Sequence, residues 1–251
     1  TLAAAERISA RRTGGTGGSA SALDDISPVI AEIRRKKDAV ELDCLRQAAR
    51  HSDGILEEIA GKIRKGQTEK EVAFAMMAAM DARAELLTDE FVIQVLSGPG
   101  SADPHGHPGN RVLQEGFPVT IDFGVCCRHY WSDCTRTFFI GEADPRFKKV
   151  YGIVLEAQEK AIAAVRPGVP LSEIDLTARK VIDHAGYGQF FIHRVGHGIG
   201  INIHEPPSVH CRNEGLLEEG MVITVEPGIY LPGKGGVRIE DDVAVTAEGH
   251  E

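Results

Sequence analysis

One stretch of this sequence occurs twice. "EGFPVTIDFGV" (115–125) aligns without gaps on "EGMVITVEPGI" (219–229): Glu, Gly, Thr and a later Gly coincide, the apolar positions largely match, and Asp122 falls opposite Glu226. Further on, "WSDCTR" and "RIEDDV" place Asp133 opposite Glu240. The element pattern repeats in the same frame. Apolar steps of three and four residues begin near Ser27-Pro28, strengthen after Lys37 and stop at Gly66. Thr68 and Glu71 then form a capping box that opens a second helix to about Glu85. Strand-like text follows in "FVIQVLSG", "FPVTIDFGV" and "DCTRTFFIG". In the second round Asp144-Pro145 opens a helix to about Val165, Ser172 caps another to Gly186, and "QFFIHRVG", "MVITVEPGIY" and "VRIEDDVAVT" read as strands. A chain built this way must fold as two similar halves that face each other.

Each half contributes two acids on apolar, strand-like runs, Asp122 and Glu226 reading as caps at strand ends. Buried carboxylates are costly unless they meet cations or metal. Four of them converging need about four compensating charges, which two divalent cations supply; this balance is the main argument for a dinuclear metal centre. Salt bridges from nearby Arg136 and Arg238 are the competing explanation for Asp133 and Glu240 taken singly, but not for four acids in a duplicated frame.

"HRVGHGIGINIHEP" (193–206) supplies imidazoles. The four-residue spacing of His193 and His197 is that of a helical zinc clamp, but Gly196, Gly198 and Gly200 disfavour a helix by about 1 kcal/mol each and suit an extended segment with close backbone approach. In an extended chain the two rings stand about 13 Å apart and cannot both bind one ion, so one histidine of the stretch is a ligand candidate and the other two are placed along a cleft. One imidazole among four carboxylates is a hard donor set that favours Mn²⁺ over thiolate-held zinc. A carboxylate beside the activated water can serve as general base. His51, His184, His210 and His250 read as structural or solvent-facing, His107 and His129 less firmly so.

Composition excludes other classes. The net charge of -9 argues against a nucleic-acid partner, and no run of about 18 apolar residues predicts a membrane span. Five cysteines, an odd number without a CxxC pair, read as free thiols in a reducing, cytoplasmic setting. Residues 11–22, "RRTGGTGGSASA", read as a loop or linker.

The ordered motifs "VTIDFG", "SDCTRTF", "GHGIG", "IHEPP", "VEPGIY" and "GGVRIEDD" resemble the pita-bread metallopeptidases, most closely their proline-specific branch of Xaa-Pro dipeptidases (prolidases) and aminopeptidase P. The resemblance implies an α+β pita-bread fold, two pseudo-symmetric helix-helix-strand halves with a curved antiparallel sheet, over residues 31–251, with residues 1–30 as an N-terminal arm or linker remnant where the family often has a large N-terminal domain. It implies hydrolysis of the bond between an N-terminal residue and proline, by water or hydroxide bridging two divalent ions (Mn²⁺ first, Co²⁺ or Zn²⁺ as alternatives), in a homodimer. Asp122 and Asp133 would bind one ion, His197 and Glu226 the other, with Asp133 and Glu240 bridging and Glu226 also the general base. His105, His193 and His204 would line the substrate cleft, His193 holding substrate and His204 the scissile carbonyl, while Arg238 would orient the carboxylates. A metal-free binding module or a creatinase-like amidinohydrolase would use the same fold without a complete ligand set, and all five ligand positions are filled here.

Overall fold

The computed structural model describes residues 26–251, apart from the side chains of residues 88–92; the glycine-rich stretch 11–22 lies outside the described residues. Helix α1 (Ser27–Arg35) is followed, from Arg35 to the end, by one compact body. Its first half holds α2 (Ala39–Ala60), α3 (Glu69–Asp81), β1 (Leu86–Ser97), β2 (Pro118–Cys127), β3 (Tyr130–Trp131) and β4 (Cys134–Phe139). Its second holds α4 (Pro145–Ala163), α5 (Leu171–His184), β5 (Gly196–Gly198), β6 (Glu205–Val209), β7 (Val222–Val225), β8 (Gly228–Leu231), β9 (Gly235–Arg238) and β10 (Asp241–Ala244).

The helices start where local chemistry directs. Asp38 accepts from the amides of Val40 and Glu41 while Glu41 returns the favour to Asp38, a capping box that opens α2. Thr68 and Glu71 do the same for α3, as expected, and Asp144 caps α4 ahead of Pro145. The expected cap at Ser172 is displaced: α5 begins at Leu171 behind Pro170, with no side-chain cap, and the amide of Ser172 instead donates to Asn213 O at 2.8 Å.

Each half has its own core. Ile55, Met76, Val95, Ile121 and Phe123 pack in the first, and Phe147, Val154, Ile174, Ile182, Ile223 and Val237 in the second. Burying each such side chain is worth about 1.5–3 kcal/mol, so each helix pair is held to its strands independently of the other half. The strands form a sheet β1-β2-β3 with β4 on β2, a sheet β10-β7-β5-β6, and a hairpin β8-β9, all antiparallel. The halves are sewn together at β4 and β9–β10. Thr135 bridges Glu240, whose amide donates to Thr135 O at 3.1 Å. The Thr137 hydroxyl accepts from the Arg238 amide at 3.2 Å and donates to Arg238 O at 2.9 Å.

Two strand expectations change. Asp122 lies inside β2 rather than at a strand end, because the buried run Val125–Cys127 continues the strand to pair with β3. "QFFIHRVG" is not a strand: Gly188–Phe190 is a short 3₁₀ turn, and the Arg179 guanidinium collects the carbonyls of Phe191 and His193 at 3.0 and 2.9 Å that a neighbouring strand would otherwise have taken.

The glycines around His197 serve close approach, as their spacing suggests. A Cβ at Gly196 would lie 1.9 Å from Thr224 O on β7, and one at Gly198 2.3 Å from Pro206 O on β6. β5 is therefore clamped between two strands with no room for side chains on either flank of His197. Gly196→Ala is expected to destabilise the fold by about 3 kcal/mol, the upper range for overpacking against backbone. A denaturant midpoint unchanged from wild type would refute that crowding.

Candidate active site

The duplicated acids converge at the seam. Asp122 stands in β2 and Asp133 one residue before β4; Glu226 stands one residue after β7 and Glu240 one residue before β10. With His197 from β5 they share a cavity of about 470 Å³, to which His105, His107, His193, Arg194, His204 and Arg238 also contribute. All nine sequence-predicted site residues are thus brought together. His107 joins them, although the sequence reading left it outside the site.

Three groupings of donor atoms are close enough to hold a small ion: Asp122, Asp133 and Glu240; His197, Glu226 and Glu240; and Asp133, His197 and His204. The first two meet at Glu240. The third was not anticipated: His204 packs its ring 4.3 Å from that of His197, nearer the carboxylates than a position along the cleft wall implied.

Hydroxyl groups fix the acids. Thr135 donates to Glu240 Oε2 at 2.6 Å, and the Thr224 hydroxyl donates to Glu226 Oε1 at 3.3 Å while accepting from the His197 amide at 3.1 Å. The amide of Asp133 donates to Asp242 Oδ2 at 3.0 Å. Arg238, only 3% exposed, donates to Asp122, to Tyr230 Oη at 2.8 Å, to Thr135 Oγ1 at 3.1 Å and to Gln94 Oε1 at 3.0 Å. With Arg238 donating to its oxygen, the Tyr230 hydroxyl turns its own proton to His193 Nε2, 2.8 Å away, and His193 Nδ1–H meets Arg194 O at 2.7 Å. Both ring nitrogens of His193 are therefore engaged within the protein. Besides His107, sequence reasoning also missed Tyr230, Thr135, Thr224, Gln94, Arg194 and Asp242.

The electrostatics follow from this crowding. Burial, then the charges of Glu240 and Asp122, push the Asp133 carboxyl well above its ordinary range; burial, then Glu226 and Asp122, do the same to Glu240. Burial raises Glu226 to about 7, with Arg238 opposing and Asp122 adding to the rise. Burial pulls Arg238 down, yet the Tyr230 oxygen and the charges of Asp122, Glu226 and Glu240 hold it well above its usual value. Burial lowers both His193 and His197 to about 4, so both rings are neutral at pH 7.

The donor set fits divalent cations. His197 Nδ1 faces Gly198 O at 3.0 Å and so carries the proton, leaving the Nε2 lone pair aimed at Glu226 Oε1 and Asp133 Oδ2, 3.4 and 3.6 Å away. Three acceptors pointed at one another need a proton or a cation among them, and four carboxylates with one imidazole form a hard set suited to Mn²⁺-like ions.

The chain is similar to known proteins in sequence and fold. A model of the metallopeptidase family M24 matches residues 43–247. Uncharacterized peptidases of Staphylococcus aureus are 42% identical over 236 residues, covering 94% of this chain and 67% of theirs. Among solved structures, the prolidase from Pyrococcus furiosus superposes with a TM-score of 0.87 at 39% identity, over 91% of this chain and 67% of its own. The Xaa-Pro dipeptidase from Bacillus anthracis gives 0.87 at 43%, over 90% and 63%, and the X-Pro aminopeptidase from Thermotoga maritima gives 0.89 at 38%, over 100% and 69%. The chain thus spans about two thirds of the length of these proteins. Its architecture is the α+β pita-bread fold that the motifs imply. On the family match and on this degree of identity, the chain belongs to metallopeptidase family M24.

Proposed function

We propose that this chain, through a catalytic unit of residues 31–251, hydrolyses the peptide bond between an N-terminal residue and proline in Xaa-Pro dipeptides or Xaa-Pro-Xaa peptides. The observation that carries this reading is the convergence, in one cavity, of four carboxylates and one neutral imidazole beside an arginine and further histidines. Support comes from the structural neighbours, whose names are those of proline-specific dipeptidases and aminopeptidases. Asp122, Asp133, His197, Glu226 and Glu240 would hold two divalent ions, Mn²⁺ first. When bound, such a pair supplies Lewis acidity and a water acidic enough to attack at neutral pH.

The chain's own groups do the rest. Glu226 takes a proton from the attacking water and delivers it to the proline nitrogen as the bond breaks. Its Thr224 partner holds the receiving carboxylate in place. His204, at the exposed mouth of the cavity, donates to the scissile carbonyl oxygen as it gains charge. His193, with both nitrogens engaged, presents its ring as a wall for the substrate and links through Tyr230 to Arg238. Arg238 keeps Asp122 turned toward the site. His105 lines the same cleft.

Five free thiols favour a reducing, cytoplasmic setting, no described helix is long and apolar enough to cross a membrane, and a homodimer completes the proposal by resemblance. The experiment is a comparison of Ala-Pro with Ala-Pro-Ala, each in Mn²⁺, Co²⁺ and Zn²⁺. Turnover of at least one peptide, highest with Mn²⁺, is expected; cleavage of neither overturns the reading.

A further inference from the structure

Glu69 is the first residue of α3, is 2% exposed and lies outside the cavity lining. The helix start does not depend on it, because Thr68 and Glu71 supply the cap. Its carboxylate turns away from the helix and is fully occupied. Oε1 accepts from the amide of Ser97 at 2.7 Å and from its hydroxyl at 2.9 Å, and Oε2 accepts from the amide of Gly109 at 2.9 Å. Arg111 Nε stands 3.3 Å from Oε1.

Ser97 and Gly109 are the two ends of one loop. The residues between them carry Pro104, His105 and His107 to the cavity. Elsewhere this loop is tied to the body by the Gly236 amide, which donates to Ser101 Oγ at 2.8 Å. At its far end the Lys70 amide donates to Gly109 O at 3.1 Å, while bonds such as His105 N to Asp103 Oδ1 at 3.0 Å lie within the loop. The Arg111 guanidinium fills the space beneath the turn, where a Cβ on Gly100 would come within 2.8 Å of Nε. A carboxylate is costly to bury unless donors converge on it, and here the donors come from both feet of the loop that walls the cleft.

The geometry points to Glu69 as a positioning residue that fixes where His105 and His107 stand over the substrate, and so governs substrate binding without touching substrate. The kinetic part of this inference rests on the proline-peptidase reading; the structural part does not.

Glu69→Gln replaces one acceptor oxygen with an NH₂ group, so that Ser97 N or Gly109 N faces a donor. Amide exchange in residues 98–109, followed by mass spectrometry, is expected to speed at least tenfold while β2 and β7 keep wild-type protection. KM for Ala-Pro rises about tenfold, with kcat and bound Mn²⁺ within twofold of wild type. In a His105→Ala/His107→Ala background the same substitution changes KM less than twofold, because the side chains it places are gone. Exchange that speeds equally across the chain, or an equal KM penalty in both backgrounds, overturns the inference. Should Glu69→Gln fail to fold, Glu69→Asp, one methylene too short to span both ends, is read in the same way. The exchange measurement needs no turnover, so an inactive wild type would sink the peptidase reading while the loop anchor is still decided by exchange.

Discussion

Glu240→Gln is expected to lower kcat/KM in Mn²⁺ by at least about 10³-fold, roughly 4 kcal/mol of transition-state stabilisation, without loss of the fold. Glu240 is 2% exposed and belongs to both the Asp122/Asp133 grouping and the His197/Glu226 grouping. Gln has nearly the same shape, and its carbonyl can keep the Thr135 hydrogen bond that holds the side chain. What it removes is one negative charge and one acceptor at the point where the two groupings meet. Bound metal, measured by elemental analysis, should fall with activity. The chelated variant should melt no lower than chelated wild type, because an acid crowded by Glu226 and Asp122 is gone. Activity within tenfold of wild type would show that Glu240 is not a shared ligand.

Stripping the metal should make stability strongly pH-dependent. In the metal-free protein Glu226 titrates near 7 and Asp242, raised chiefly by its burial, near 8, while Asp133 and Glu240 are held well above the ordinary range. Unfolded carboxylates titrate near 4. The folded state therefore binds more protons, and the stability this gives is present below pH 4 and lost as pH rises through the folded values. His193 and His197, depressed from 6.5 to about 4, act in the opposite sense: their contribution is lost as pH falls from 6.5 toward 4. Between pH 4 and 6.5 the two histidines offset the four carboxylates only in part. Above 6.5 only the carboxylates act, and Glu226 and Asp242 alone should cost the chelated protein about 3 kcal/mol between pH 6.5 and 8.5, with Asp133 and Glu240 acting in the same direction. Mn²⁺ at about a thousand times its Kd should return about 4 kcal/mol, with a larger rise in Tm at pH 8 than at 6.5. A chelated protein whose Tm is flat from pH 6.5 to 8.5 would refute this account of the acids.

The four clustered carboxylates were legible because duplication marks them: a lone Asp122 is an ordinary acid, but its pairing with Glu226 and the second pair behind it are difficult to explain otherwise. The glycines of "GHGIG" were legible for a similar reason, since they rule out a helix and match the crowding of β5 against Thr224 and Pro206. The hydroxyls were not. Thr135 reaches Glu240 across 105 positions of sequence, and Tyr230 matters because Arg238 and His193 meet at its oxygen. Tertiary contacts of that kind leave no local pattern. The false strand at 189–195 has the same origin, since its apolar text is right for a strand but Arg179, folded back from α5, takes the carbonyls of Phe191 and His193. The Thr68–Glu71 capping box was readable, but not where Glu69 beside it would turn its carboxylate.

The seam where Thr135 meets Glu240 and Thr137 meets Arg238 bears on how the site assembles. Each half brings two of the four acids, and neither core contains the whole set. As separate molecules the halves would form the site only by encounter, at a rate and occupancy set by their concentration. Joined in one chain, they meet at an effective concentration fixed by the connection between β4 and α4. The site is in this sense an internal interface, and dilution cannot take it apart.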